Sequence, residues 1–357
     1  MADAVLIVGA KRYSGWTALR VQRGIEQASG AFGIHLTERW PGQSTKWPIE
    51  PGAECQLLLD DTPVITGYID GVDRELTADN HVITAQGRDK AADIVDCSAL
   101  LPGDKTGDLV GQTLHQVASI LCEPFGIKVV DRVGTKPIPK FSIQLGSVWE
   151  HIERGARDAA VMVMSDGLGS LVITRAGTER HPVALVEGEN ILEAKFVRSD
   201  ARRYNRYIMS GQSASDDFVD AEIAAHASDE TTDGVVIRNR PYVMDPDHLA
   251  PGVSMRDRVR WERNVRRGKS RRVEVEVQGW SAGGRLWRPN ELVNVRLPML
   301  GLPQAELLIV SVEHMLDDQG TLTKMTLSPA EAYDLLPEGQ KAKGGIQLSP
   351  EQERLLG

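Results

Sequence analysis

Apolar residues two apart recur in short runs along this chain, and one arrangement of such runs is written twice. Pro51 and Gly52 lead into a run with Cys55, Leu57 and Leu59 on one face, then a Pro63-containing turn, then Val64 to Asp70. Near the other end Pro289 and Asn290 lead into Val293, Val295 and Leu297, a break from Pro298 to Pro303, and Glu306 to Glu313. Both copies next reach a turn, at Ala78-Asp79-Asn80 and at Asp317 to Gly320, before a third alternating run, Val82 to Gln86 or Thr321 to Leu327. A period of two places successive side chains on opposite faces of a strand, so each copy predicts three antiparallel strands curling into a small β-barrel. The competing reading is chance, because Pro-x-strand-turn-strand is common in β proteins and the spacing drifts between copies. Two matched barrels in one chain favour a ring-building structural protein over an enzyme.

Strand-like runs at Val5 to Val8, Leu19 to Gln22 and Phe32 to Glu38 join the first copy, with a short helical turn expected over Gly24 to Gly30 and a brief helix over Lys90 to Val95. From Gly107 the pattern turns helical, with Leu109, Leu114, Val117, Ala118 and Leu121 on one stripe and Gln112 and Thr113 on the wet side. A strand at Ile127 to Val130 follows. Ser147 and Glu150 have capping-box spacing for a second helix, and Val161 to Thr174 reads as a hairpin turning at Ser165 to Gly169. Strands are expected at Ile191 to Val197 and Arg203 to Gly211, a polar loop at Ser228 to Gly234 and a short strand at Val235 to Ile237. A basic helix from Asp257 to Arg267, with Ser254 at its N-cap and Gly268 at its C-terminal cap, precedes the alternating run Arg272 to Gln278. A short helix over Ala330 to Leu335 and a flexible tail close the chain.

The expected fold is therefore α+β and mainly β: two similar small β-barrels, a small α/β module and a helical or irregular insertion. The boundaries are 1–95 for the first barrel, completed by strands from 185–212; 96–184 for the α/β module; 213–268 for the insertion; 269–330 for the second barrel; and 331–357 for the tail.

At 357 residues the chain fits two to four domains, and 41% hydrophobic with 25% charged residues is an ordinary globular composition. The apolar run Ala4 to Val8 is too short to cross a bilayer, so no membrane insertion is expected. Three widely spaced cysteines argue against a disulfide framework and read as buried thiols. A net charge of −9 disfavours nonspecific binding of nucleic acid by the whole surface.

Recognisable chemistry is sparse. The eight histidines show no metal-ligand spacing, so neither a metal nor a cofactor is expected. Gly167-Leu168-Gly169 falls in a hairpin turn and lacks the third glycine of a dinucleotide loop. Asp60-Asp61 and Asp216-Asp217 could hold a cation or form an acid/base pair, but each sits where a solvated turn is expected. The densest polar cluster is Arg256, Arg258, Arg260, Arg263, Arg266, Arg267, Lys269, Arg271 and Arg272, nine cations in seventeen residues. One reading is a patch meeting a polyanion, with Arg260, Arg263, Arg266, Arg267, Lys269 and Arg271 as the contact. The other is a solvated helix face whose arginines pair with Asp257, Glu262, Glu274 and Glu276. Trp261 could stack on a base or anchor the helix to its barrel, and tryptophans at strand ends suit rims or subunit contacts.

The run Arg271 to Trp280, followed by Gly284-Arg285-Leu286-Trp287-Arg288-Pro289-Asn290-Glu291-Leu292-Val293-Asn294-Val295, resembles the C-terminal barrel of the baseplate hub protein of contractile-tailed phages, closest to Mu-like phages. That hub belongs with the late-control tail proteins and the hub part of type VI secretion spikes. Thr113 to Leu121 with Phe125-Gly126-Ile127, and the Trp149 helix with its Asp166-Gly167 hairpin, resemble the family's middle module. The resemblance covers about residues 1 to 330. It implies a homotrimer whose two barrels per subunit alternate around an axis, joining a six-fold tail tube to a three-fold central spike. The implied partners are the spike, the tube, baseplate wedge proteins, and the tape-measure protein or DNA passing through the lumen. The implied location is the virion tail baseplate, assembled in the host cytoplasm. Nothing after Leu327 resembles a fused needle or lysozyme, so the spike is expected to be a separate chain.

Two other function classes compete. A nucleic-acid-binding protein would use Arg256 to Arg272. A cell-wall glycosidase would need two carboxylates across a cleft, and no pair is distinguished for that.

Overall fold

The computed structural model describes residues 3–37, 49–76, 81–103, 105–159, 161–177, 179–211, 227–244 and 255–333. Ser254, Asp216-Asp217, Trp40, Trp47 and the tail beyond 333 lie outside them.

The first module contains β1 (Ala4–Val8), β2 (Lys11–Tyr13), β3 (Ala18–Gly24), β4 (Ala31–Thr37), β5 (Glu54–Leu59), β6 (Thr62–Leu76) and β7 (His81–Asp89). They pair antiparallel in the order β3-β4-β7-β6-β5-β1-β2. Alternate residues from six of these strands, among them Leu6, Val21, Phe32, Leu57, Ile65 and Ile83, meet in one buried cluster, so the sheet must curl around them. Gly87 permits the curl, because a Cβ there would lie 2.3 Å from the Tyr68 carbonyl and 2.6 Å from the Phe32 ring. The turn expected to be helical over Gly24 to Gly30 has no helix; Gly30 instead donates its amide to the buried Asp89 carboxylate at 2.7 Å.

The α/β module contains α1 (Ala92–Asp96), β8 (Gly107–Thr113), α2 (Leu114–Cys122), β9 (Lys128–Asp131), β10 (Pro137–Ile143), α3 (Val148–Asp158), β11 (Met162–Ser165) and β12 (Ser170–Thr174). The Ser147 and Glu150 capping box forms as expected, with bonds of 3.2 and 2.8 Å. A second box was hidden by the helical reading of Gly107 to Thr113. That stretch is a strand paired with β10, and Thr113 is the N-cap, accepting from the Gln116 amide while Gln116 Oε1 accepts from Thr113. Leu109 therefore belongs to the strand, where a competing sheet partner overrides the stripe.

The second module and its insertion contain β13 (Leu185–Val186), β14 (Glu193–Arg198), β15 (Arg206–Gly211), β16 (Ala227–Thr232), β17 (Pro241–Met244), α4 (Met255–Lys269), β18 (Arg271–Gln278), β19 (Ser281–Ala282), β20 (Arg285–Leu286), β21 (Leu292–Leu297), β22 (Leu302–Asp317) and β23 (Gly320–Ser328). Strands from 185–212 do not complete the first module. β13 pairs β21 and β14 pairs β18, because Ala194 and Phe196 pack on the second core around Val275, Val293 and Leu307. β15 joins β16 and β17 in a separate small sheet. The polar stretch Ser228 to Gly234 is mostly strand, carried by cross-strand pairs such as Arg206 with Glu230 at 2.8 Å, whereas Val235 to Ile237 forms no strand. The expected C-terminal helix is a 3-10 turn over Ala330–Ala332.

The repeat extends to the pairing register. The row Ile69–Gly87–Phe32–Val21 across β6, β7, β4 and β3 has its counterpart in Ile309–Leu327–Val273–Phe196 across β22, β23, β18 and β14. Both copies carry a bulge at the same place, between Ile69 and Gly71 and between Ile309 and Ser311. The copies are joined into one sheet where Ser311 to Leu316 of β22 pairs antiparallel with Leu19 to Gly24 of β3. Trp280 crosses this junction, buried in the first core with its Nε1 donating to the Met315 carbonyl at 2.8 Å.

Candidate functional site

The basic segment is built on the inserted sheet. Arg203 is fully buried and grips Asp233 with two bonds of 2.6 and 3.0 Å; burial raises the Asp233 carboxyl, but Arg203 outweighs it and holds the group below its ordinary range. Tyr204 and Tyr242 stack at 4.8 Å, and the Arg266 guanidinium lies over both rings, 4.2 Å from Tyr242 and 5.2 Å from Tyr204.

The structure brings the six proposed contact residues onto one helix and its exit, and gives most of them partners within the chain. Arg266 donates to Glu262 at 2.7 Å, and Arg258, one turn before Glu262, reaches the same carboxylate at 3.2 Å. Arg263 donates to the Thr231 hydroxyl at 3.1 Å; burial, with Arg267 nearby, lowers its pKa. Arg267 lies 3.8 Å from Glu331, and Lys269 lies 3.3 Å from Glu26. Arg271 is buried, and desolvation together with Arg267, Arg203 and Arg198 pushes its guanidinium down to about 10. Arg260 is half-buried and adds to the field at Arg263.

Glu26 is the residue that sequence reasoning missed. It accepts from Arg272 at 2.7 Å and from the Tyr333 hydroxyl at 2.8 Å; burial raises its pKa, but Lys269 and Arg272 hold it below the usual value. It lies in the turn after β3, far away in sequence, so no local spacing could reveal it. Of the acids expected to neutralise the helix, Glu262 does so, while Glu274 and Glu276 face Lys195 and Lys324 instead. Gly268 is not a cap. It lies inside α4 where a Cβ would meet the Ala332 Cβ at 1.9 Å, so its role is close packing. Trp261 has the Arg258 guanidinium 4.5 Å over its ring, and its Nε1 has no hydrogen-bond partner.

The remaining candidates resolve into structure. Asp60 and Asp61 form the two-residue turn between β5 and β6 with φ of 47° and 60°. Cys55 and Cys122 are buried, with thiols pushed up to about 12 by desolvation, whereas Cys97 is exposed, unlike its expected burial. No group of three or more His, Cys, Asp and Glu among the described residues is placed to hold a metal ion. A cleft of about 650 Å³ is lined by residues of all three modules, among them Arg23, Arg132, Asp166, Arg175 and Arg288.

Three family models match the chain. Residues 3–89 match the Mu phage baseplate assembly protein GpP-like N-terminal domain, 91–175 the baseplate hub protein gp44-like second domain, and 252–336 the Mu phage baseplate assembly protein GpP fourth domain. The last of these takes in α4 together with β18 to β23 of the second module. The chain is 33% identical to the baseplate hub protein gp44 of Escherichia phage Mu over 347 residues, 93% of this chain and 90% of gp44. Among solved structures, the 43 kDa tail protein of prophage MuSo2 from Shewanella oneidensis matches with a TM-score of 0.81 at 32% identity, over 94% of this chain and all of that one. The Escherichia coli c3393 protein, a type VI secretion component, shares the fold at 11% identity and a TM-score of 0.58, over 93% of this chain and 79% of its own. With a repeat that holds strand by strand and a relative that aligns over nearly its whole length, the chain belongs to the Mu-type baseplate hub family and is a structural hub protein of a phage tail.

Proposed function

We propose that this hub works as a homotrimeric ring in which the two β modules of each chain alternate about the axis, so that six similar modules join a six-fold tail tube to a three-fold central spike. The observation that carries this reading is the repeat itself: two modules with the same strand order and the same bulge, fused in one sheet. A contact that works between the modules of one chain can be reused between chains, which is what a closed heterologous ring needs. The partners are the spike, the tube, wedge proteins, and the tape-measure protein or DNA in the lumen. The role is architectural and not catalytic, with assembly in the host cytoplasm before incorporation into the virion. Among the described residues no helix is long and apolar enough to cross a membrane.

Mass photometry at micromolar concentration tests the reading, with a trimer expected and a persistent monomer overturning it. End-on electron micrographs should show six lobes around a bore. Within the ring, Arg260 to Arg271 faces the lumen in this proposal, and the density of cations supports it. Pairing with Glu26, Glu262 and Glu331 reduces the net field, so contact with DNA should be weak and salt-sensitive, which would let a strand pass without arrest.

A further inference from the structure

We propose that the ring closes by β-strand pairing between copies: the outer edge of Gly71 to Leu76 in β6 of one chain pairs with β14 of the next, in the register that β22 and β3 use within one chain. This rests on the trimeric reading and adds to it which edges meet and how.

Two half-used edges motivate it. On its outer side β6 is paired with β5 only as far as Tyr68, with Gly52 and Ala53 continuing to Ile69, and among the described residues no strand continues that edge. β14 pairs β18 on one side and, among the described residues, ends the sheet on the other. The repeat makes these two edges the counterparts of the pair that already meets inside the chain. β6 corresponds to β22 through Ile69 and Ile309, and β3 corresponds to β14 through Val21 and Phe196. Applying that equivalence to the β22–β3 register places Val72 opposite Arg198, Glu75 opposite Lys195, and Leu76 opposite Ala194.

Several side chains at these positions keep the chemistry of the internal junction, while Glu75 stands where Met315 does and adds a carboxylate opposite Lys195. Val72 stands where Val312 does, Asp73 where Glu313 does, and Leu76 where Leu316 does. On the other strand Lys195 stands for Arg20 and Arg198 for Arg23. Inside the chain Glu313 forms an ion pair with Arg20 and Leu316 packs on the first core. Asp73 is exposed, the Lys195 side chain is 65% exposed, and Leu76 is 75% exposed, which is costly for a leucine at the end of a strand with an open edge. A second copy covers that leucine, gives Lys195 both Asp73 and Glu75, and satisfies the edge backbone groups.

Disulfide trapping reads the register. In a Cys97→Ser background, Glu75→Cys with Lys195→Cys should give, on oxidation, a ladder up to a covalent trimer on a denaturing gel, removed by reductant. Facing residues of an antiparallel pair are close enough for the bond. Glu75→Cys with Val197→Cys, two residues out of register, should give little, and the single variants no more than a dimer. As a second measure, Lys195→Glu should raise the concentration for half-assembly about five- to tenfold, and adding Glu75→Lys should bring it back toward the starting value. A particle that stays trimeric but shows no ladder, either by oxidation or with a short bismaleimide, overturns the edge pairing and leaves the ring standing. Equal trapping in both registers overturns it as well. A monomer with every variant, and without substitutions, sinks the ring itself.

Discussion

His314 lies on β22 between the two β cores, 1% exposed, with Nδ1 3.1 Å from the Thr323 hydroxyl. Desolvation, with Arg23 nearby, pushes its pKa down to about 3. The folded state therefore holds the neutral ring, while the unfolded chain takes up a proton near pH 6.5, so stability should fall as pH drops from about 6.5 toward 3. Glu26 and Asp233 act lower down: both are held below the ordinary carboxyl value, and what they contribute above about pH 4 is lost as pH falls through their folded pKa. Urea midpoints measured between pH 7.5 and 5 should decline for the native chain and be flatter for His314→Gln. A flat profile in both would refute the assignment. At the turn between β5 and β6 the left-handed backbone at Asp61 costs a residue with a Cβ about 1 kcal/mol, so Asp61→Gly should stabilise by up to about that amount in thermal melts. That pair of aspartates was legible as a turn from sequence. The fate of His314 was not, because nothing within a few residues of it signals burial between two modules.

At the scale of elements, local codes worked where the partners are neighbours in the chain. Ser147 and Glu150 form their box, and Ser147→Ala should cost about 1 kcal/mol in chemical denaturation. Gly268 shows where such codes fail. Near the end of a basic helix it reads as a cap, yet it marks where α4 presses on the C-terminal turn at Ala332. Helix propensity alone says that Gly268→Ala gains up to about 1 kcal/mol. The contact reverses the sign, and a loss of about 1–3 kcal/mol is expected, with a lowered melting temperature as the readout. A gain would show that the turn yields easily. The beginning of α2 failed for a related reason, since Gly107 to Thr113 carries a helical stripe but finds β10 as a strand partner thirty residues on.

For the whole molecule, charge and repeat act together. Neutralising Arg260 and Lys269 to glutamine should weaken any retention on DNA at low salt, measured by filter binding across a salt series. Unchanged retention would remove those residues from the lumen contact. The alternation of apolar residues, the turn residues and the capping pairs fixed two β modules, an α/β module and a basic helix from sequence alone, because each depends on spacing within a dozen residues. Only the tertiary structure decided that β14 serves the second module, that Glu26 anchors the end of the basic segment, and that both modules run as one sheet through β22 and β3. Those choices depend on edges and charges from about seventy to nearly three hundred residues apart, which compete for partners by shape and burial, and no local period records the winner.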